Sequence, residues 1–431
     1  MSEKPADVVV IGAGPAGMVA AIAASNAGAR VALIDEGFAP GGQIWRDKLG
    51  TAPHGAPAEW KSRLASSRVD RLASTSVVDV HRAGETFTVT AERISDGQTF
   101  HIAARALVVA TGARERFVPF PGWTLANVVG VGGAQALLKN GLSVRGRRVV
   151  VAGSGPLLLP VAASLTSAGA NLVLVAEQTG FPAIARFSLS LWRTPSMLVQ
   201  AAQLRAAFRR TRYAFGTWVT RAVGDERVES VTVTDGNRSR DVECDLLCTA
   251  FGLVPNTELA RLLGCETRPL GVVVNEFQST SVPGVYCAGE PTGIGGVDLS
   301  LIEGEIAGLA AAGAPIPASL RSRRTRLKGY SARLEQSFAL RPEIRSLATA
   351  ETIVCRCEDV RLADLDRSWT TRQAKLYTRA GMGACQGRIC GAALECVMGW
   401  APDSVRPPIQ PARLTTLLAD PRASDFHTGA P

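Results

Sequence analysis

The sequence predicts an α/β protein made of two Rossmann-like dinucleotide-binding domains, one inserted into the other, followed by a small helical domain. Three observations predict it. An apolar strand, a glycine-rich turn, an Ala-rich helix and a second strand follow one another in "DVVVIGAGPAGMVAAIAASNAGARVALIDE" from Asp7. The same order returns from Arg148 in "RVVVAGSGPLLLPVAASLTSAGANLVLVAEQ". Four cysteines, Cys355, Cys357, Cys385 and Cys390, then gather near the C-terminus as CxC and CxxxxC. Strands that alternate with helices are the signature of a parallel sheet covered on its faces.

The chain has 431 residues, enough for two or three cores. A hydrophobic share of 46% with 43 glycines suits an α/β protein with many tight turns. The formal charge of +9 raises nucleic acid, a membrane surface or an acidic partner. Nucleic acid is not expected: aromatics are 6%, and the densest basic run, "RSRRTRLK" from Arg321, has no interleaved aromatic and reads as a solvated linker or helix face. The uncharged stretch from Val8 to Ala29 is broken by Gly12, Gly14, Pro15 and Gly17 at its start and by Ser25 and Asn26 at its end. Acidic Glu3 and Asp7 stand where an export signal carries bases, so neither a transmembrane segment nor export is expected, and the protein is placed in the cytoplasm. In that reducing compartment clustered cysteines point to metal rather than to disulfides.

In the first glycine motif, Gly12 permits the tight turn, Gly14 lets a pyrophosphate approach the backbone, and Gly17 lets helix and strand pack closely. Pro15 and Ala16 carry the turn into the helix, whose free N–H groups face the phosphate. Asp35 follows Gly17 by 18 residues, where a ribose hydroxyl needs an acceptor, with Glu36 beside it as a substitute.

Three further stretches decide which dinucleotide is expected: "PGGQIW" after the second strand, "ALVVATGA" from Ala106, and "GVYCAGEPTG" from Gly284. Together they resemble the FAD-binding signatures of the two-dinucleotide-domain flavoproteins, which include thioredoxin reductase and the pyridine nucleotide-disulfide oxidoreductases, over about the first 315 residues. The resemblance implies that Ala110, Thr111 and Gly112 lie near the FAD pyrophosphate, Gly42 and Gln43 near the flavin, and Gly289 and Glu290 near the ribitol, with Glu290 in place of the family's usual aspartate. Disulfide reductases of that family carry a redox cysteine pair. "GGQIWRDKLG" and the run from Val149 to Glu243 have no cysteine, so disulfide chemistry is not expected.

The second motif keeps Gly153 and Gly155 but has Leu158 at its third position. Ala176 stands where the ribose acid is expected, Glu177 is displaced by one, and no arginine follows until Arg186. These features speak against NAD(P), and leave another adenine nucleotide or an empty relic open. "DLLCTAFGLVPNTELA" from Asp245 resembles the strand and turn that return to the FAD domain. The expected organisation is an FAD domain over 1–125 and 269–315, an inserted NAD-type domain over 126–268, a linker over 316–350, a cysteine domain over 351–402 and a tail over 403–431.

Between Cys357 and Cys385 lie 27 residues. Gly381 and Gly383 suit a helix that stops near "TRA" and a backbone that curls around something compact, and "RICGAALECVMG" reads as a following helix whose N-terminal amides stabilise negative charge. Structural zinc rarely uses a one-residue gap, a disulfide is disfavoured by compartment, and a 2Fe-2S cluster takes four thiolates and pairs naturally with a flavin. The spacing also resembles the bacterioferritin-associated-ferredoxin-like domain, which implies the 2Fe-2S reading. Cys244, Cys248, Cys265, Cys287 and Cys396 read as buried small hydrophobes, and His54, His81, His101 and His427 as structural or loop residues.

FAD domain, weakened second nucleotide domain and cysteine module, in that order, resemble the α subunits of bacterial heteromeric flavoprotein amine dehydrogenases, a family of opine and D-hydroxyproline dehydrogenases and hydrogen cyanide synthase. The resemblance implies a partner β subunit like D-amino-acid oxidase that oxidises a C–N bond, while this chain passes electrons to a one-electron or quinone-type acceptor. It leaves open an FMN at a subunit interface and a small γ subunit. Two other readings stay in view: a self-sufficient NAD(P)H-dependent reductase, and a structural or regulatory subunit with non-catalytic cofactors.

Overall fold

The computed structural model describes residues 6–48, 51–52, 54–192, 195–400 and 405–419, so Glu3, His427 and the tail beyond Ala419 lie outside the described residues. The chain divides into two compact units: Met1–Arg114 with Pro255–Ser331 and Ser404–Pro431, and Glu115–Val254 with Ala332–Asp403.

The first unit opens on β1 (Ala6–Ile11), α1 (Pro15–Asn26) and β2 (Val31–Ile34). The apolar run of β1 makes it a central strand: Val8, Val9 and Val10 are wholly buried, and it pairs in parallel with β2 on one side and with β6 on the other. After β3 (Asp70–Leu72), the strands β4 (Thr75–Ala83), β5 (Thr86–Arg93) and β6 (Thr99–Val109) form an antiparallel meander, giving the order β3-β2-β1-β6-β5-β4.

The second unit holds a parallel sheet of β7 (Val128–Gly130), β8 (Arg148–Gly153), β9 (Asn171–Glu177), β10 (Arg212–Phe215) and β11 (Leu246–Ala250), in the order β10-β9-β8-β11-β7. Between β8 and β9 runs α2 (Leu158–Ser167). An antiparallel sheet of Trp218–Val223, Ser230–Thr234 and Ser239–Glu243 shares its core, with Phe120, Trp218, Val231 and Leu247 buried together.

The chain returns to the first unit, where β12 (Val285–Cys287) pairs in parallel with Leu107–Val109 of β6. Next come α3 (Gly296–Ala311) and α4 (Ala318–Ser337). α1 is Ala-rich and buried on almost every side because α3 meets it backbone to backbone: a Cβ at Gly304 would lie 2.2 Å from the Ala16 carbonyl oxygen, and one at Gly308 2.2 Å from that of Ala20. The C-terminal tail lies across the meander, with Ile409 N–H on the Val78 carbonyl at 2.9 Å and the Thr416 hydroxyl on Glu92 at 2.5 Å.

The second unit takes in Glu115–Val254, where the sequence places the inserted domain over 126–268. Phe117, Val118, Phe120 and Trp123 supply core to the second unit, which explains the shift. The stretch 316–350, expected as a linker, contains the 20-residue helix α4. Its Arg-rich run is not merely a solvated face, because Leu320 and Arg324, four apart on one side, are buried.

Candidate functional site

The first glycine loop is set by close backbone contacts. A Cβ on Gly12, at φ +102°, would sit 2.3 Å from the Ala110 carbonyl oxygen, and one on Gly17 would sit 1.7 Å from that of Gly12. A Cβ on Gly14 would meet nothing within 4 Å. The loop is therefore tight behind and open in front, and α1 begins at Pro15 with its N-terminal amides at that opening. Asp35 braces the loop by accepting N–H bonds from Ala13 at 2.5 Å and Gly37 at 2.7 Å, and burial pushes its carboxyl up against those two donors. Glu36 is exposed, Gly42 lies at φ +59° against Gly14, and Gln43 is exposed and accepts from Arg46 at 3.0 Å.

Ala110, Thr111 and Gly112 form the turn that follows β6, alongside the same loop. Asn256 ties this turn down: its side-chain amide donates to the Thr111 carbonyl at 2.8 Å, and its main-chain carbonyl accepts the Thr111 hydroxyl at 2.8 Å. Arg114 then links Asn256, at 2.6 Å, to Glu258, at 2.8 Å. After β12, Gly289 turns at φ +79° with room for no side chain, since a Cβ would lie 2.8 Å from that of Ala16. Glu290 accepts the Gly296 N–H at 2.9 Å through Oε1, while Oε2 is buried with no partner. Burial pushes its carboxyl up to about 7, against the N–H groups of Gly296 and Gly295 and with the charge of Glu303 adding to the rise. The open front of Gly14 and the orphaned Glu290 oxygen fit a bound dinucleotide, whose hydroxyls are donors of the kind Oε2 lacks.

Sequence reasoning missed the group beneath this turn. Glu303, wholly buried, accepts the Gly289 N–H at 3.1 Å and the Thr292 hydroxyl at 2.9 Å, and pairs with Arg324 at 3.2 Å and Lys328 at 3.8 Å. The signal was the i, i+4 spacing of Leu320, Arg324 and Lys328 within the basic run.

In the second motif, a Cβ on Gly153 would lie 2.1 Å from the Ala250 carbonyl oxygen, so this turn too is tight. Its front differs. A Cβ on Gly155 would meet the Phe338 ring at 3.6 Å, and α2 starts only at Leu158, wholly buried at the position of the third glycine. Glu177, at the end of β9, accepts N–H groups of Gly155 and Thr179 at 2.8 Å each, and burial pushes its carboxyl up to about 7 against them.

Of the four clustered cysteines, Cys355 ends β13 (Ile353–Cys355), Cys357 lies in the turn that follows it, Cys385 in the loop after α5 (Thr371–Thr378), and Cys390 at the start of α6 (Cys390–Met398). α5 stops at Arg379 in the left-handed conformation, and the chain curls through Gly381 at φ +82° and Gly387 at φ +79°. Gly383 has no space for a side chain, because a Cβ would lie 2.2 Å from that of Cys357. The thiols stand in two pairs across the two segments, Cys355 beside Cys390 and Cys357 beside Cys385. The Cys390 thiol, with the N–H groups of Gly381, Glu358 and Cys357, draws Cys355 below the ordinary thiol value. Burial pushes Cys385 up, but the Ile389 N–H, the Cys357 thiol and the Gly387 N–H hold it below the ordinary thiol value. Among the described residues no group of three or more His, Cys, Asp or Glu side chains is disposed to hold a metal ion as it stands. The paired thiols and surrounding amides are nonetheless the donor chemistry of a thiolate-ligated centre.

Trp123 anchors this segment, its indole N–H donating to the Ile353 carbonyl at 2.6 Å, and Ile389 and Cys396 pack on the core of the second unit. Cys396 is only partly buried, against the expectation of a fully buried residue, whereas Cys244, Cys248, Cys265 and Cys287 are buried.

Residues 6–307 match the pyridine nucleotide-disulphide oxidoreductase family. The chain belongs to this family. It is an oxidoreductase, and the family implies FAD. It is 32% identical to an opine oxidase subunit of Rhizobium meliloti, over 97% of this chain and 88% of that one. It is also 32% identical to hydrogen cyanide synthase subunit HcnB of Pseudomonas aeruginosa, over 89% of this chain and 90% of that one. Among solved structures, L-proline dehydrogenase of P. horikoshii shares the fold with a TM-score of 0.66 at 22% identity, covering 96% of this chain and 79% of that one. No helix among the described residues is long and apolar enough to cross a membrane.

Proposed function

We propose that the chain is the FAD- and 2Fe-2S-containing electron-transfer subunit of a heteromeric dehydrogenase that oxidises the C–N bond of an opine, D-hydroxyproline or a related amino acid. The observation that carries this reading is the facing of Cys355 with Cys390 and of Cys357 with Cys385, in a chain whose first glycine loop is open for a dinucleotide. Gly12, Gly14 and Gly17 would hold the FAD pyrophosphate with α1, Asp35 would brace that loop, and Glu290 would accept from the ribityl chain. Cys355, Cys357, Cys385 and Cys390 would ligate the cluster, with the N–H groups of Gly381, Ile389 and Gly387 offsetting its negative charge. When bound, the flavin supplies two-electron chemistry and the cluster one-electron carriage. The relatives' names, each that of one component in a larger enzyme, support assigning amine oxidation to a partner β subunit like D-amino-acid oxidase.

The test is anaerobic purification with assays for flavin, iron, zinc and acid-labile sulfide, followed by addition of an amine and a co-expressed β partner. About two irons and two sulfides per chain are expected, with the flavin bleached only when partner and amine are both present. Zinc without iron would remove the electron-transfer reading.

A further inference from the structure

We infer that residues Phe338–Arg341 occupy the nucleotide site of the second domain as a built-in ligand and close it to NAD(P)H. The two glycine loops of this chain provide an internal comparison. A Cβ on Gly14 would meet nothing within 4 Å, whereas one on Gly155 would meet the Phe338 side chain, Cγ at 3.6 Å and Cβ at 3.7 Å. The second glycine of such a loop is where a pyrophosphate approaches the backbone, so Phe338 stands where the phosphates would lie.

The segment is bound rather than merely adjacent. The Ser154 hydroxyl, between the two glycines, donates to the Phe338 carbonyl at 2.8 Å. Gln178, wholly buried just past the acid at the end of β9, donates to the Ala339 carbonyl at 3.0 Å and to the Ser154 hydroxyl at 2.8 Å, and accepts the Arg341 N–H at 3.0 Å. Its amide thus reads the segment's backbone as it would read a ligand's polar edge. Leu340 and Ile344 enter the unit's core, the Phe338 ring meets Phe187 edge-on at 5.2 Å, and the Arg341 guanidinium lies 4.4 Å over the Trp218 ring. Glu177 completes the closure, since both of its oxygens are committed to backbone N–H groups and the residue is 1% exposed. A dinucleotide would have to displace the Phe338 ring and break the Ser154 and Gln178 bonds before touching Gly155.

The inference deepens the proposed function by removing nicotinamide as the source of electrons, but it stands on the second unit alone and does not depend on the cluster. The complete, flavin-loaded protein is titrated with NADH and NADPH under anaerobic conditions, following nicotinamide fluorescence and the flavin's visible absorbance. The wild type should show no saturable binding up to ~1 mM, the top of the ordinary range for enzyme substrates. The Phe338→Ala protein, shown to be folded by an unchanged tryptophan emission spectrum, should bind NADH at least tenfold more tightly than the wild type. Saturable binding by the wild type would overturn the inference whatever the variant does, and so would a folded Phe338→Ala protein that still binds nothing. If that variant does not fold, hydrogen exchange on the wild type decides: the Arg341 amide should keep its protection in ~1 mM NADH, and its release on adding nucleotide would overturn the inference. Iron and flavin content play no part in these readouts, so failure of the cluster reading is recognised separately.

Discussion

The Arg324 guanidinium, almost fully buried, lies 3.2 Å from the wholly buried carboxylate of Glu303, which in turn holds the Gly289 N–H and the Thr292 hydroxyl. An ion pair deep in the first unit thus braces the turn that presents Glu290. Arg324→Ala leaves a buried charge with only the more distant Lys328, and should destabilise the protein by about 3–5 kcal/mol. Urea unfolding of the apoprotein checks this, and flavin retention after gel filtration should fall in parallel. Arg324→Met with Glu303→Gln, which removes both charges, should recover most of the stability.

The first glycine loop predicts a split between folding and cofactor binding. Gly17→Ala drives a Cβ into the Gly12 carbonyl and should lower both apoprotein stability and flavin content, the former by about 1–3 kcal/mol. Gly14→Ala meets nothing in the chain itself, so apoprotein stability should stay within about 0.5 kcal/mol while FAD affinity drops at least tenfold. Thermal unfolding and flavin fluorescence on the same samples separate the two effects.

Glu290 predicts a pH dependence. Its carboxyl titrates near 7 in the folded chain against 4.5 ordinarily, so the folded state holds a proton that the unfolded state has released. Stability from this group is therefore complete below 4.5 and is lost as pH rises through about 7. Apoprotein carrying Glu290→Gln should lack that decline, and the gap between variant and wild type should widen across this window by on the order of 3 kcal/mol. A parallel pair of pH curves would contradict it.

Ser replacement of Cys355, Cys357, Cys385 or Cys390 should each reduce bound iron by more than half while flavin content stays unchanged, because the cysteines and the open glycine loop belong to different compact units. Cys396→Ser, near the end of α6, should retain its iron. Iron and flavin assays on the five proteins check both halves.

What the sequence made legible was local. Gly12, Gly14 and Gly17 declare a tight turn because the constraint lies within a few residues, and the stop of α5 before Gly381 is legible for the same reason. The CxC and CxxxxC spacings show the cysteines as sequence neighbours, but the pairing of Cys355 with Cys390 and of Cys357 with Cys385 crosses the two segments and depends on how the loop folds back. Arg324 was misread as solvated because a run of bases hides the four-residue stripe that turns it inward. Phe338 carried no signal at all: its partner Gly155 is 183 positions away, and nothing in "SFALRP" distinguishes a segment that fills a site from one that passes over a surface.

The pairing of β6 with β12 also sets an order of events on the ribosome. Val109 and its partner Cys287 are separated by 178 positions, so the first sheet emerges without its last parallel strand and must wait while the inserted unit is made. At ordinary elongation rates that wait is roughly 10–35 s. Throughout it the glycine loop lacks α3, Gly289 and Glu290, so a nascent chain stalled before Cys287 should be unable to retain flavin, and newborn copies are candidates for chaperone capture during that interval.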